Sequence, residues 1–497
     1  MPHKLRRRCR EMVCVAAVLV VSVAGAVQPL IAQEAQRSML DADLGAMGKH
    51  RPGYQFWRQI FSIGDGSIAF GSGTDGRLLA VFPSRGDWAN GEWKESGLAT
   101  LADMGSLPSA LDDRRTRMAE WLEPVVGPVL HNPTRGDFLL PNARRYGRFL
   151  GEWAAIYERF GVPGELGLSQ ALIESGLAGD RRSEARAVGF CQWLQTNWKR
   201  LNKLAPEVIE ANNQTTQAPY CAAYLAVLAT KYGSYIPALS DHHSGGVNVG
   251  RVLINGERLG GTTTREQYLL GSKLVRDLRR IDLYGFRDLY RTYGPRSFLY
   301  SEMVFGNMAT ITELMASTTQ MPIYAMRTSR TYKLSEVAKE AGLSQDEVRR
   351  YNPALVKRVP AHADIYLPRY VKRFGPDVTF WHRPANAAFS AALNDFLALD
   401  ASPEQWDDGT LVPALRRFEK RFRDSKSEEG SVMATVLAFA IDDALTSGRR
   451  EILAAFRSDE DVRQLFDRGL LQRVSANLTL LACTPETAAK DPDRSSC

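Results

Sequence analysis

The segment 164–176 reads GELGLSQALIESG and decides the fold, because it predicts an apolar helix with one acid near its carboxyl end. Pro163 stands where a helix tolerates proline, and Gly176 stands where helices commonly stop. The carboxyl-terminal ends of helices carry partial negative charge, so we expect the anion of Glu174 to be disfavoured and its pKa to rise. A carboxyl kept protonated near neutral pH suits glycosidic cleavage, which needs a proton on the leaving oxygen. The alternative is a solvent-facing glutamate at a helix end.

Two further motifs follow this segment. Residues 187–192 read AVGFCQ, a glycine-containing turn leading into a helix predicted over 190–203, which places Gln192 eighteen residues after Glu174. Residues 238–245 read ALSDHHSG and follow a helix predicted over 218–232. An acid, an amide and a pair of imidazoles are therefore spread over three helical segments.

Over roughly 144–255 the chain resembles the family 1 lytic transglycosylases, the goose-lysozyme-like type, and among them the membrane-bound murein transglycosylase D group. Members carry a Glu-Ser pair, a Gly-Leu-Met/Trp-Gln motif at this separation, and Ala-Tyr-Asn-Ala-Gly after a helix. The resemblance implies that Glu174 is the single acid/base. It further implies that five residues orient the acid or bind the glycan: Ser175, Gln192, His242, His243 and Gly245.

The third motif departs from the family pattern. His242 stands where Tyr is usual, His243 where Asn is usual and Ser244 where Ala is usual, whereas Gly245 is retained and 246–248 are interpreted as an expansion. An imidazole can hydrogen-bond a carboxyl as a phenol does, so the changes are compatible with activity. A cleft that only binds glycan would carry the same changes.

The number of carboxylates separates two mechanisms. Glycosidases that retain or invert configuration need two, about 5 to 9.5 Å apart. The nearest further acids are Asp180, Glu184 and Asp241. In the family mechanism Glu174 protonates the oxygen between N-acetylmuramic acid and N-acetylglucosamine, then accepts the proton of the muramyl 6-hydroxyl, and a 1,6-anhydromuramyl end forms without water. A second acid across the cleft would instead indicate a lysozyme-type hydrolase.

The N-terminus predicts export. The first eleven of the 497 residues carry five basic residues and one acid, and residues 12–27 are almost entirely apolar, as in a signal peptide cut after Ala26 or Ala32. An uncleaved membrane anchor over 12–32 is the alternative. Loss of the signal lowers the net charge from +7 to about +3, and no basic tract with interleaved aromatics is left to bind nucleic acid. We therefore expect a periplasmic or envelope protein whose partner is peptidoglycan.

Export also determines how the cysteines and histidines are interpreted. Four cysteines remain after signal removal, and the pairing of sequence neighbours is one of three possible pairings: Cys191 with Cys221, and Cys483 with Cys497. No His-x-x-x-His or Cys-x-x-Cys motif is present, and adjacent histidines rarely bind one ion together. We expect no metal site and no cofactor.

The predicted fold is mainly α (α+β). Strand-like runs at 66–70 and 77–82 predict a hairpin. The nearby Phe56, Trp57, Trp88 and Trp93 are expected to pack in its core, and a sugar-stacking platform is the alternative. The predicted order is a signal peptide (1–32), a small β-containing segment (40–110), a lysozyme-like transglycosylase domain (111–320), a LysM-like module (321–370) and a helical C-terminal domain (380–482).

The LysM-like module is predicted from a βααβ order between Ile323 and Pro368. It resembles the degenerate LysM glycan-binding module that follows the catalytic domain in transglycosylase D-like proteins, but Thr328–Thr331 replaces the usual Gly-Asp-Thr opening. The module is therefore expected either to bind glycan or to be purely structural. Further on, the charged stretch Arg421–Glu429 predicts a solvated linker.

Overall fold

The computed structural model describes residues 36–101, 106–204, 212–281, 295–399 and 411–446. The predicted signal, Cys483, Cys497 and the helices predicted over 450–456 and 461–471 lie outside these residues. The described chain is mainly helical with a small antiparallel sheet. It forms two compact units: the described residues up to Tyr235 together with Glu302–Asp443, and Ile236–Ser301. In the described ranges, no helix has the length and apolar character needed to cross a membrane.

The first unit begins with helices and a four-stranded antiparallel sheet. Helices α1 (36–50) and α2 (Trp57–Ser62) come first. The strands are β1 (Ser67–Ser72), β2 (Leu78–Pro83), β3 (Glu92–Trp93) and β4 (Val129–Pro133), and their order in the sheet is β3-β2-β1-β4. The predicted hairpin is present as β1 and β2, with Ser67 opposite Pro83.

The core of this sheet is aromatic, as predicted. Phe82 stacks on Trp88 with ring centroids 4.8 Å apart, and Trp93 packs against the same cluster. Phe56 and Trp57 are also buried. Phe56, Trp57 and Trp88 are therefore core residues, and Trp93 is partly buried against the core, so three of the four are not displayed to solvent as a sugar-stacking platform.

Six helices and a short hairpin follow in the first unit: α3 (Leu111–Val126), α4 (Gly136–Tyr146), α5 (Leu150–Arg159), α6 (Gly164–Ser175), β5 (Ala187–Val188), β6 (Trp193–Leu194), α7 (Gln195–Leu204) and α8 (Gln214–Tyr232). The periodicity of 142–160 predicts a single helix there, and this prediction is wrong. The chain instead turns through Gly147–Phe149, which buries the Phe149 ring against Trp153. The helix predicted from residue 190 is also wrong, since 187–194 form a hairpin and α7 begins only at Gln195.

The second unit holds most of α9 (Tyr235–Ser244) together with α10 (Gly246–Arg258) and α11 (Thr264–Ile281). Helix α12 (Tyr300–Ser317) leads to the segment predicted as a βααβ module. The elements of this segment are β7 (Tyr324–Arg327), β8 (Tyr332–Lys333), α13 (Leu334–Ala341), α14 (Gln345–Tyr351), β9 (Arg358–Val359) and β10 (Asp364–Leu367). Strand β7 pairs with β10, and β8 pairs with β9, both antiparallel.

The last described elements are α15 (Ala387–Leu397), α16 (Leu411–Asp424) and α17 (Glu428–Thr446). The linker predicted over Arg421–Glu429 is wrong, because α16 continues through Asp424 and α17 begins at Glu428. Ser425 between them is buried and donates from its hydroxyl to the carbonyl of Phe422. The charges of this stretch therefore lie mostly on two helix ends joined by a tight turn.

Candidate functional site

Glu174 stands half-buried in the last turn of α6, a helix whose other residues are mostly buried. The helix stops at Gly176, which has φ +61°, and a Cβ added there would lie 2.2 Å from the carbonyl oxygen of Phe138. Only glycine combines this left-handed conformation with such close packing. The sequence thus ends α6 sharply, with the carboxyl at the negative end of the helix.

Ser175 connects this helix end to the following loop. Its side chain is completely buried, and its hydroxyl is 2.9 Å from the carbonyl oxygen of Ala171 and 3.1 Å from that of Phe190. A buried hydroxyl that bonds two backbone carbonyls does not face a ligand. The buried Ser175 hydroxyl therefore connects the last turn of α6 to the loop, which is compatible with the orienting role that the resemblance implied.

The loop after α6 is fastened to one face of α8. The Gln214 amide donates to the carbonyl of Leu177 at 3.1 Å, while the Gln217 amide oxygen accepts from the backbone N–H of Phe190 at 2.6 Å. One turn further along α8, Cys221 forms a disulfide with Cys191 of the loop. Positions 214, 217 and 221 have the spacing of a single helix face. Together these three residues fix the backbone that leads to Gln192.

Gln192 lies in this fixed loop and not in a helix, since its φ is +51°. Its amide nitrogen donates to the carbonyl oxygens of Arg181 and Gly189, both at 2.9 Å. An amide nitrogen has two hydrogens, so both donors are used within the loop. In this conformation Gln192 can offer a glycan only its amide oxygen, as an acceptor.

The surroundings of the loop contain a buried phenol. Burial raises the pKa of Tyr146, while Arg145 and a hydrogen bond to Gln214 act in the opposite direction. The phenol therefore keeps its proton at neutral pH and acts as a hydrogen-bonding group.

The third motif lies in the second unit, on the last turn of α9. His243 stacks on Tyr300 with ring centroids 4.5 Å apart, and its Nε2 lies 3.2 Å from the hydroxyl of Ser297. His242 is half-buried one residue earlier. These contacts give His243 a packing role within its own unit.

Gly245 joins α9 to α10 and has φ +82°, a conformation that L side chains rarely adopt. The residues interpreted as an expansion, 246–248, form the first turn of α10. Backbone geometry alone thus accounts for glycine at position 245.

The sequence singles out three further acids: Asp180, Glu184 and Asp241. Asp180 and Glu184 are exposed in the loop after α6, and Asp241 is buried in the second unit. Across the part of the chain that the structure describes, no group of three or more His, Cys, Asp or Glu residues could hold a metal ion.

Sequence reasoning missed the two glutamines of α8 that hold the loop. The available signal was their spacing. Gln214 and Gln217 are three residues apart, and Cys221 follows Gln217 by four, so all three lie on one helix face. Polar residues on the same face as a disulfide cysteine indicate a surface that packs on irregular backbone, which needs hydrogen-bond partners.

The sequence matches none of the protein-family models and none of the curated proteins with which it was compared.

Proposed function

We propose that the protein is a lytic transglycosylase that cleaves the bond between N-acetylmuramic acid and N-acetylglucosamine in peptidoglycan, in the periplasm or cell envelope. Glu174 is the sole general acid/base in this proposal. It donates a proton to the leaving oxygen, then accepts the proton of the muramyl 6-hydroxyl as that oxygen attacks the anomeric carbon. The C–O bond to the leaving sugar breaks, the 1,6-anhydro ring forms, and no water is consumed.

The position of Glu174 carries the proposal. A half-buried carboxyl in the last turn of a buried helix is disfavoured as an anion by both the helix dipole and partial desolvation. Both effects favour the protonated form, which the first step uses. The neighbouring loop supports the proposal because Ser175, the α8 glutamines and the disulfide hold Gln192 in a fixed geometry beside the helix end. Such preorganisation is what a glycan-positioning group needs.

Two other functions have an observation in their favour. A catalytically inactive peptidoglycan-binding protein is favoured by the altered third motif and by the internal use of both Gln192 donors. A lysozyme-type hydrolase is favoured by the exposed Asp180 and Glu184 in the loop after α6, which supply further carboxylates. The roles of His242, His243 and Gly245 as glycan contacts rest on the sequence resemblance.

Digestion of purified peptidoglycan, with mass spectrometry of the released ends, tests the three functions. Anhydromuramyl ends support the transglycosylase, reducing ends support the hydrolase, and binding without release supports the inactive protein. We expect Glu174→Gln to reduce turnover by at least about 100-fold, the usual contribution of a general acid, with an unchanged melting curve.

Glu165→Gln is the matched control, since Glu165 lies in the first turn of the same helix and is also half-buried. It should retain wild-type turnover. Equal activity of the Glu174 variant and the wild type would remove Glu174 from the mechanism.

A further inference from the structure

Gln170 is a completely buried amide that the fold does not use. Its relative exposure is 0%, and neither its amide oxygen nor its amide nitrogen has a hydrogen-bond partner among the described residues. The adjacent Ser169 is equally buried, but its hydroxyl donates to the carbonyl of Val304. Buried side-chain polar atoms are normally paired in proteins, so an amide with both ends unpaired requires an explanation.

The position of Gln170 on α6 relates it to the proposed acid. Gln170 and Glu174 are four residues apart in one helix, which places them on the same face with Cβ atoms roughly 6 Å apart. Cα–Cβ bonds tilt towards the helix N-terminus, so the side chain of Glu174 leans over the turn that holds Gln170. The unpaired amide thus lies on the interior side of the half-buried carboxyl.

The chemistry of the Gln170 amide suits a neighbour of a carboxyl that alternates between two protonation states. An amide has both a donor and an acceptor, so it can accept from a protonated carboxyl and donate to a carboxylate without a charge of its own. A charged neighbour would favour one state and oppose the other. Catalytic hydrogen bonds are often formed only in the complex with substrate, so the unpaired amide here is compatible with this role.

We infer that Gln170 is a positioning residue for Glu174: its amide orients the carboxyl, directly or through one water molecule, in both steps of the reaction. This inference rests on the proposed function. A structural role for Gln170 predicts a loss of stability when the amide is removed. The positioning role predicts no loss, because replacing an unpaired buried polar group by an apolar one of the same shape is neutral or stabilising.

The test variant is therefore Gln170→Met, which keeps the length of the side chain and removes both polar ends. We expect kcat for release of anhydromuramyl ends to fall by at least about tenfold, the order expected for a misplaced catalytic group. The KM should be nearly unchanged, the pH profile of kcat should shift, and the melting temperature should be equal to or above that of the wild type.

Thr230→Val is the matched control, since the buried hydroxyl of Thr230 also has no partner in the described chain. It lies thirteen residues beyond Gln217 on α8, roughly 20 Å along the helix axis. This variant should keep the kcat and pH profile of the wild type. Gln170→Asn, which keeps the amide but shortens its reach, should also lose turnover and serves if the methionine variant does not fold.

Wild-type kcat and pH profile in a folded Gln170→Met variant, or in Gln170→Asn, would overturn the inference. Equal losses in the Thr230→Val control would overturn it as well, since any buried polar group would then have the same effect. If the wild type releases no anhydromuramyl ends, the proposed function fails first, and the inference fails with it.

Discussion

Removal of the Cys191–Cys221 disulfide should weaken both the stability of the first unit and the hold on Gln192. The bond closes a segment with a sequence separation of 30, which contains Gln192, β6 and α7. In the chain-entropy treatment, a loop of that length contributes about 3.6 kcal/mol at 25 °C by restricting the unfolded chain. The double variant Cys191→Ala, Cys221→Ala should lose about that much of the free energy of unfolding.

Urea unfolding followed by tryptophan fluorescence measures this loss. Trp193 and Trp198, two of the nine tryptophans, lie in the closed segment with ring centroids 4.8 Å apart, so part of the signal comes from this segment. Dithiothreitol should shift the wild-type transition to lower urea by a similar amount, which provides a control without mutation. A loss below about 1 kcal/mol, or a wild type insensitive to reductant, would refute the reasoning, because the loss would lie far below the entropic value.

Two other changes test contacts that hold the same unit together. Asp43→Ala should lower the free energy of unfolding by about 3 kcal/mol, because it leaves the buried Ser234 hydroxyl and the Tyr235 N–H without the carboxylate that accepts from them at 2.7 and 2.6 Å. Chemical denaturation checks the value, and a loss under about 1 kcal/mol would contradict it. Gly189→Ala should lower the melting temperature and the turnover together, since the new Cβ would lie 2.2 Å from the Gln217 amide oxygen at φ +91°. The control Gly233→Ala has φ +60° and open space around the Cβ, so a similar effect there would assign the loss to backbone strain alone.

The elements that the sequence predicts well are those with local causes. Helix α6 has the predicted bounds because proline, apolar periodicity and Gly176 all act within one segment. The α13 and α14 helices carry the same kind of local signal. Ser344 accepts from the N–H of Glu347, whose carboxylate accepts from the N–H of Ser344, so a capping box fixes the start of α14.

The errors have causes outside the local sequence. Gln192 was predicted in a helix because the residues around it have helical periodicity. Its left-handed backbone instead depends on contacts with Gln217, Cys221 and the carbonyl of Arg181. These partners are 11 to 29 residues away from Gln192 in sequence, so the local pattern does not reveal them. Likewise the break at Gly147 follows from the burial of Phe149, whose ring also packs on Tyr351 of a much later helix. Long-range partners of this kind leave no periodic signal.

The contacts of α8 also bear on the two roles left open for the βααβ module. Thr216, on the same helix as the loop-holding glutamines, is hydrogen-bonded to the buried Tyr366 hydroxyl of β10 at 2.7 Å. The rings of Phe149 and Tyr351 meet with centroids 4.7 Å apart. Thr216 and Tyr366 also line one cavity together with Arg327 and Asp364.

The module therefore uses Tyr351 and Tyr366 for internal packing, within the same compact unit as Glu174. A tethered glycan-binding module would search for glycan independently of helix α6, whereas a docked one cannot. Because one of the two docking contacts ends on α8, and α8 holds the loop that carries Gln192, the module's structural role is the better supported one. It stabilises the helix that orders the candidate site, and any glycan contact it makes must use a face other than that of Tyr366.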